Sequence, residues 1–482
     1  MSTRPLPVST PAAQGVDARG VQAFLDAIEG RPGIEPHSLM ILRHGHLVAS
    51  GWWAPYTEDR VHLLYSLSKS FTSTAAGFAV AEGLLDLDAP VVSYFPEFDA
   101  DITDPGSRAM RVRHVAAMAS GHLAETHDQA RALDRTELVR GFLLLPPDRE
   151  PGTVFAYNQP ATYALAAIVQ RLTGQSLTEY LRPRLFEPLG IGETVWLRDR
   201  AGRELGFSGL HATTDAIARL GQLYLDNGVW EGERLLPESW VAEATRSHIT
   251  TSDSTLGGGP DWRQGYGFQF WRSRHGYRGD GVYGQFCLVL PEYDAVIATT
   301  GAAEDMQAVL EAVWEHLLPA FGAAPVEGAE AEDEALRRRL SAVALAPVPE
   351  KPVPLADPAA WTDVEFTRRS GSGTDQPTLT GVTVAPDGGG WTLSLAEDGT
   401  RLGLRFDGTA PGWTVDAEPD TEVPVAVSGG WTDQNTLHVE VAFLETPHRL
   451  VVVCSLDDRT FTARWHTFPL HQSVLRSYRA PR

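Results

Sequence analysis

The chain has 482 residues and a formal net charge of -22. An excess of acid this large excludes a nucleic-acid partner, because phosphate binding needs a basic face and counterion release. The length predicts two cores of unequal size, and the two cysteines, Cys287 and Cys454, stand in neither a disulfide framework nor a metal-ligand spacing, so no metal or cofactor is expected.

In chain order, residues 1–7 lack the hydrophobic segment of a secretory signal. No apolar run reaches the roughly 18 to 20 residues of a membrane span, so a cytoplasmic protein without a membrane partner is expected. Val21, Phe24, Leu25 and Ile28 recur at helical spacing and predict a helix over 16–29, ended by Gly30 and Pro32. Apolar stretches at 38–42 and 46–53 flank Arg43-His44-Gly45 and read as a hairpin. A helix begins near Ser66 and runs through Phe71, Ala75 and Phe78 to a glycine cap at Gly83. Helical patterns follow at 162–173 and 214–227, then strand-like runs at 266–272, 285–290 and 295–299 and a helix over 306–318. Strands after a largely helical insert predict an α+β fold rather than a doubly wound one. The G-x-G-x-x-G match at Gly279-Asp280-Gly281-Val282-Tyr283-Gly284 leads into a strand instead of opening a helix, which argues against a dinucleotide site.

Between 323 and 357 the composition changes to an acidic, alanine-rich block, then Arg337-Arg338-Arg339, then a proline-rich stretch. This is a linker by composition, with helix open to its alanine-rich part. Beyond Pro358 come strand-like runs at 378–384, 391–395, 401–406, 436–443, 449–454 and 460–465, with turns at Asp387-Gly388 and Asp398-Gly399. About eight short strands predict a small antiparallel barrel or sandwich. The expected division is 1–322, a linker at 323–357 and a β domain at 358–482.

The chemistry starts from Lys69, one of two lysines among 40 basic residues. Arginine cannot give up its proton near neutral pH, whereas a lysine in a dry pocket can become a neutral base. Ser66 stands three residues earlier, so the two side chains share one helix face as nucleophile and base. At a helix start the backbone N–H of Ser66 also suits half of an oxyanion hole. No G-x-S-x-G elbow is present, which argues against an α/β-hydrolase.

The stretch Tyr65-Ser66-Leu67-Ser68-Lys69-Ser70-Phe71 resembles the first motif of the serine β-lactamase and penicillin-binding-protein-like hydrolases. The branch concerned holds class C β-lactamases, carboxylesterases and D-amino-acid peptidases, and the resemblance covers about 16–318. It implies a sheet flanked by helices with a helical subdomain, and a tyrosine at Tyr157 that shares a proton network with Lys69. In Tyr157-Asn158-Gln159 the family's third-place asparagine is displaced to the middle, so either amide is a candidate to orient Lys69 or a substrate carbonyl. Val282-Tyr283-Gly284-Gln285 resembles the third motif, with valine where the family carries Lys or His. The Gln285 N–H is the candidate second oxyanion donor, and Arg278 or His275 the candidate replacement cation. His122 and His127 lie in a loop resembling one that borders the family site; His122 is a substrate-side candidate, and both rings are expected at the surface. The β domain resembles the lipocalin-like appendage of some members, with self-association into a homo-oligomer or cover of the site as its open roles. The resemblance implies a small-molecule or short-peptide substrate. An esterase or amidase acting on a neutral acyl compound comes first, a D-amino-acid peptidase or peptide cyclase second, and a catalytically silent binding protein third.

Overall fold

The computed structural model describes residues 5–252, 259–362, 364–369, 371, 374–415 and 423–482, and these divide into two compact units. The first four residues, part of the stretch read for a signal, lie outside the described residues. Among the described residues no helix is long and apolar enough to cross a membrane.

The first unit spans 1–51, 63–341 and the last two residues. Its opening helix, α1 (Ala18–Glu29), is capped by Asp17, which accepts from the Arg19 N–H at 2.9 Å, and it buries Val21, Phe24, Leu25 and Ile28 as their spacing predicts. Strands β1 (Ile34–Arg43) and β2 (His46–Trp52) turn at His44 and Gly45, both with positive φ. Next come α2 (Ser68–Ala81), α3 (Gln159–Thr173) and α4 (Thr214–Leu225). Four strands follow: β3 (Trp271–Arg272), β4 (Tyr277–Gly281), β5 (Gln285–Leu290) and β6 (Ala295–Ala303). The sheet order is β2-β1-β6-β5-β4-β3, with β6 against β1, β5 against β6, β4 against β5 and β3 against β4 all antiparallel. Helix α4 lies so close to this sheet that a Cβ on Gly221 would meet Val296 Cγ1 at 2.5 Å.

Helix α2 is buried on all sides from Ser68 to Ala79. Its sequence is rich in hydroxyls, and each has found a carbonyl, as burial requires. Ser70 donates to Gln269 O (3.0 Å), Thr72 to Gly206 O (2.8 Å) and Ser73 to Phe268 O (2.7 Å), which ties two distant loops to the helix that carries Lys69. The acidic, alanine-rich block forms α5 (Glu330–Leu340), with its acids in the first turn and Arg337 to Arg339 in the last, a charge order that complements the helix dipole. Arg339 bonds Asp26 and Glu29 of α1, each at 2.7 Å.

The second unit is a nearly closed nine-stranded sheet. Its strands are β7 (Val364–Arg368), β8 (Leu379–Asp387), β9 (Gly390–Glu397), β10 (Thr400–Phe406), β11 (Thr414–Val415), β12 (Val425–Trp431), β13 (Thr436–Phe443), β14 (Arg449–Ser455) and β15 (Thr460–Trp465). Neighbours pair antiparallel except β7 with β15, which are parallel. A bridge between Gly408 and Gly430 brings the two ends of the sheet together. The interior is filled by side chains: Trp431 packs against Trp391 with ring centroids 4.6 Å apart and against Trp361 at 5.6 Å. Cys287 and Cys454 are buried free thiols, each pushed up in pKa by burial.

Candidate active site

Ser66 sits in a 3-10 turn (Tyr65–Leu67) that leads into α2, not in the α-helix itself. Tyr65 just before it has φ 48°, a left-handed conformation that is rare for a tyrosine and clusters at functional sites. Ser66 is half-buried amid residues that are fully buried, and the first N–H groups of such a turn have no intrahelical acceptor.

Lys69 is 1% exposed. Its Nζ donates to Gln159 Oε1 at 2.8 Å and to Phe207 O at 2.7 Å, and lies 3.1 Å from Ser66 Oγ. A neutral amine has two N–H bonds and one lone pair. Two fixed acceptors take the hydrogens, and the lone pair is left for the Ser66 hydroxyl. Burial pulls the Lys69 pKa down to about 7, against upward pulls from the carboxylates of Asp280 and Glu125.

The Tyr157 ring lies 4.7 Å from Lys69 Nζ. Burial holds this phenol protonated, with its pKa well above the ordinary tyrosine range. The ring stacks on Trp271 at 5.5 Å and meets Tyr266 edge-on at 6.2 Å.

The two candidate amides separate. Gln159 meets Lys69, whereas Asn158 is fully buried and accepts at Oδ1 from the Thr126 N–H (3.1 Å) and hydroxyl (3.0 Å). His122 is 3% exposed rather than at the surface, because its ring nitrogens are bonded to Ser120 Oγ (3.0 Å) and Leu145 O (3.2 Å) and its ring packs on Phe142. His127 is half-buried, edge-on to Phe207.

Strand β4 lies directly on the Ser66 turn. A Cβ on Gly281 would meet Leu64 O at 2.1 Å, and one on Gly279 would meet Ser70 Oγ at 2.4 Å and Leu67 Cδ1 at 2.5 Å. Val282, Tyr283 and Gly284 form the tip of the β4–β5 hairpin, and Tyr283 and Gly284 have φ of 71° and 88°. Tyr283 packs edge-on to Tyr65 at 6.0 Å. Gln285 is fully buried opposite Gly281, and its side-chain amide donates to Val282 O (3.0 Å) and Gly301 O (2.8 Å). Strand β3 covers β4 only as far as Arg278, so among the described residues no strand of the sheet lies on the outer edge of 280–282.

Neither candidate cation stands free at the third motif. Arg278 is buried and bonded to Asp280 (3.0 Å), Ser273 Oγ (2.6 Å) and Asp261 O (2.9 Å), while His275 packs on Trp314. The sequence reading missed Phe207, whose contribution is a backbone carbonyl and leaves no residue-type signal. It also missed Asp280, a lone carboxylate in a glycine-rich strand. Gln269 was missed as well; with φ 63° it joins Ser70 of α2, Thr162 of α3 and the carbonyl of Ala116.

Residues 21–317 match the family model described as Beta-lactamase, which is more than half of the chain. The chain therefore belongs to the β-lactamase family of serine hydrolases, which work through a Ser-Lys acyl-enzyme. It is similar to the 6-aminohexanoate-dimer hydrolase of Paenarthrobacter ureafaciens, 27% identical over 287 residues that span 56% of this chain and 73% of the relative. Esterase EstB of Burkholderia gladioli is 28% identical over 208 residues, 38% of this chain and 53% of its own. In fold, a family VIII carboxylesterase superposes with a TM-score of 0.51 at 18% identity, covering 64% of this chain and 99% of that one.

Proposed function

We propose that the chain hydrolyses an ester or amide of a small, neutral acyl compound through a covalent ester on Ser66. The observation that carries this reading is the placement of the Lys69 amine, desolvated, held by two fixed acceptors and 3.1 Å from Ser66 Oγ. Ser66 Oγ attacks the substrate carbonyl carbon while its proton passes to Lys69 Nζ. The oxyanion is held by the Ser66 N–H and, in place of Gln285, by an N–H of the uncovered 280–282 edge. Tyr157, beside Lys69 and kept protonated by burial, relays the proton from Lys69 to the leaving oxygen or nitrogen as the C–O or C–N bond breaks. Water then attacks the acyl ester and Ser66 regains its proton. The neutral acyl preference rests on Arg278, whose charge is already paired with Asp280. The relatives named for an amide dimer and for an ester support both bond types. A cytoplasmic location is part of the proposal.

The test is a panel of p-nitrophenyl esters, D- and L-aminoacyl amides and a chromogenic cephalosporin, with wild type beside Ser66→Ala and with fluorophosphonate labelling of both. Turnover of neutral esters or amides with a Ser66 adduct is expected. Label that persists in Ser66→Ala, or no adduct on the wild type, removes the enzyme reading in favour of a silent binding protein.

A further inference from the structure

Residue pairing between β5 and β6 ends at Phe286 opposite Thr299. One step further a side chain takes the place of a strand. The Gln285 amide donates to Gly301 O (2.8 Å) and accepts from the Gly301 N–H (3.2 Å), the two-way exchange that one strand residue makes with another. Its second amide hydrogen goes to Val282 O at 3.0 Å, and Gln285 is fully buried. The rest of the β4–β5 tip is held in the same way: the Ala303 N–H donates to Tyr283 O and Thr299 Oγ1 to Gly284 O, both at 2.9 Å. Three consecutive carbonyls of the tip are thus fastened by β6 or by a side chain anchored on it. A tyrosine at positive φ, as Tyr283 is at 71°, keeps that conformation only where its surroundings over-determine it.

We infer that Gln285 is a positioning residue for the oxyanion site. Its side-chain amide, seconded by the Thr299 hydroxyl, fixes the tip of the hairpin on β6, so that the 280–282 edge and the Ser66 N–H converge on one point. The inference rests on the proposed Ser66 chemistry. A donor stabilises the oxyanion only when it is held about 2.7–3.1 Å from where that oxygen forms, so a small drift of the edge weakens it. The edge is located from two sides. Gly281 rests on Leu64 O beside the Ser66 turn, where an added Cβ would come to 2.1 Å, and Gln285 Cβ closes on the same glycine, 3.1 Å from that Cβ position. The next carbonyl, that of Val282, is tied through Gln285 to Gly301. Three bonds of this kind need an amide, with two N–H donors and an acceptor in one plane; a glutamate carboxylate has no donor, and methionine, of similar length, makes none of the three.

The test uses Gln285→Met and Thr299→Val in the full chain, with Ser66 titrated to completion by a fluorophosphonate so that rates are counted per reactive site. On a p-nitrophenyl ester, kcat per site is expected to fall by about 10² for Gln285→Met and about tenfold for Thr299→Val, with KM held within about threefold. A boronic acid, which forms a tetrahedral anion on Ser66, is expected to bind Gln285→Met more weakly by a factor close to the loss in kcat. A purely structural role lowers the melting temperature and the fraction of Ser66 that labels, but leaves kcat per site and boronate affinity where they were. That pattern overturns the inference, as does a rise in KM at unchanged kcat. Where Gln285→Met gives no folded protein by circular dichroism, Thr299→Val decides alone, and a kcat per site within about twofold of wild type overturns the role of the fastened tip. A wild type that does not label at Ser66 instead sinks the chemistry on which the inference rests.

Discussion

At the scale of single residues the protein turns on how one amine is held. Lys69 is buried in the core, and Gln159 Oε1, Phe207 O and Ser66 Oγ stand within hydrogen-bond reach of its nitrogen. Desolvation penalises the ammonium, so the amine is poised to accept a proton at a pKa of about 7. The sign follows directly. Below pH 7 most of Lys69 carries its proton and cannot take that of Ser66; raising the pH frees it. Acylation is expected to rise about tenfold per pH unit below 7 and to level off above it, measured as the rate of phosphonate labelling or of ester turnover. Lys69→Arg keeps a positive charge that cannot be released, and the turnover rate is expected to fall by about 10² to 10⁴. A rate kept within a factor of two would remove Lys69 from the proton path.

At the scale of elements the decisive piece is β4, whose sequence Tyr-Arg-Gly-Asp-Gly carries no strand signal. Its glycines are there because the backbone rests on the Ser66 turn. Gly281→Ala would drive a methyl into Leu64 O at 2.1 Å and is expected to cost about 1–3 kcal/mol and to slow labelling of Ser66. Gly192→Ala, with no atom within 4 Å of the added methyl, is the control and is expected to stay within about 0.5 kcal/mol. Thermal melting of the two variants beside wild type decides this. Strand β12 escaped the sequence reading for a related reason. Gly429-Gly430 carries no β-branched or aromatic strand signal, and a Cβ on Gly430 would meet Pro352 at 3.0 Å, so the glycine admits a neighbouring segment to a buried strand.

At the scale of the whole molecule the acidic block divides the chain at a different place from where its composition points. Helix α5 belongs to the first unit, which it joins through Arg339 and the buried Leu336 and Leu340. A fragment ending at Ser341 is therefore expected to melt higher than one ending at Gly322, which loses those contacts. Equal melting points would show that α5 adds nothing. In the barrel, Trp361→Ala would empty a fully buried site against Trp431 and Phe366 and is expected to cost about 3–5 kcal/mol, read from denaturant unfolding.

By itself the sequence determined the features whose cause is local. Helical spacing in α1, the turn at His44-Gly45, the alternation in β13 and the one-turn separation of Ser66 and Lys69 are all properties of neighbouring residues. The tertiary structure decided whatever depends on atoms far apart in the chain. It chose Gln159 over Asn158 as the partner of Lys69, brought in the Phe207 carbonyl from 138 residues away, buried His122 and paired Arg278 with Asp280. The reason is physical: residue types record which hydrogen-bonding groups exist, while desolvation and close approach select among them, and both arise only when separate segments pack.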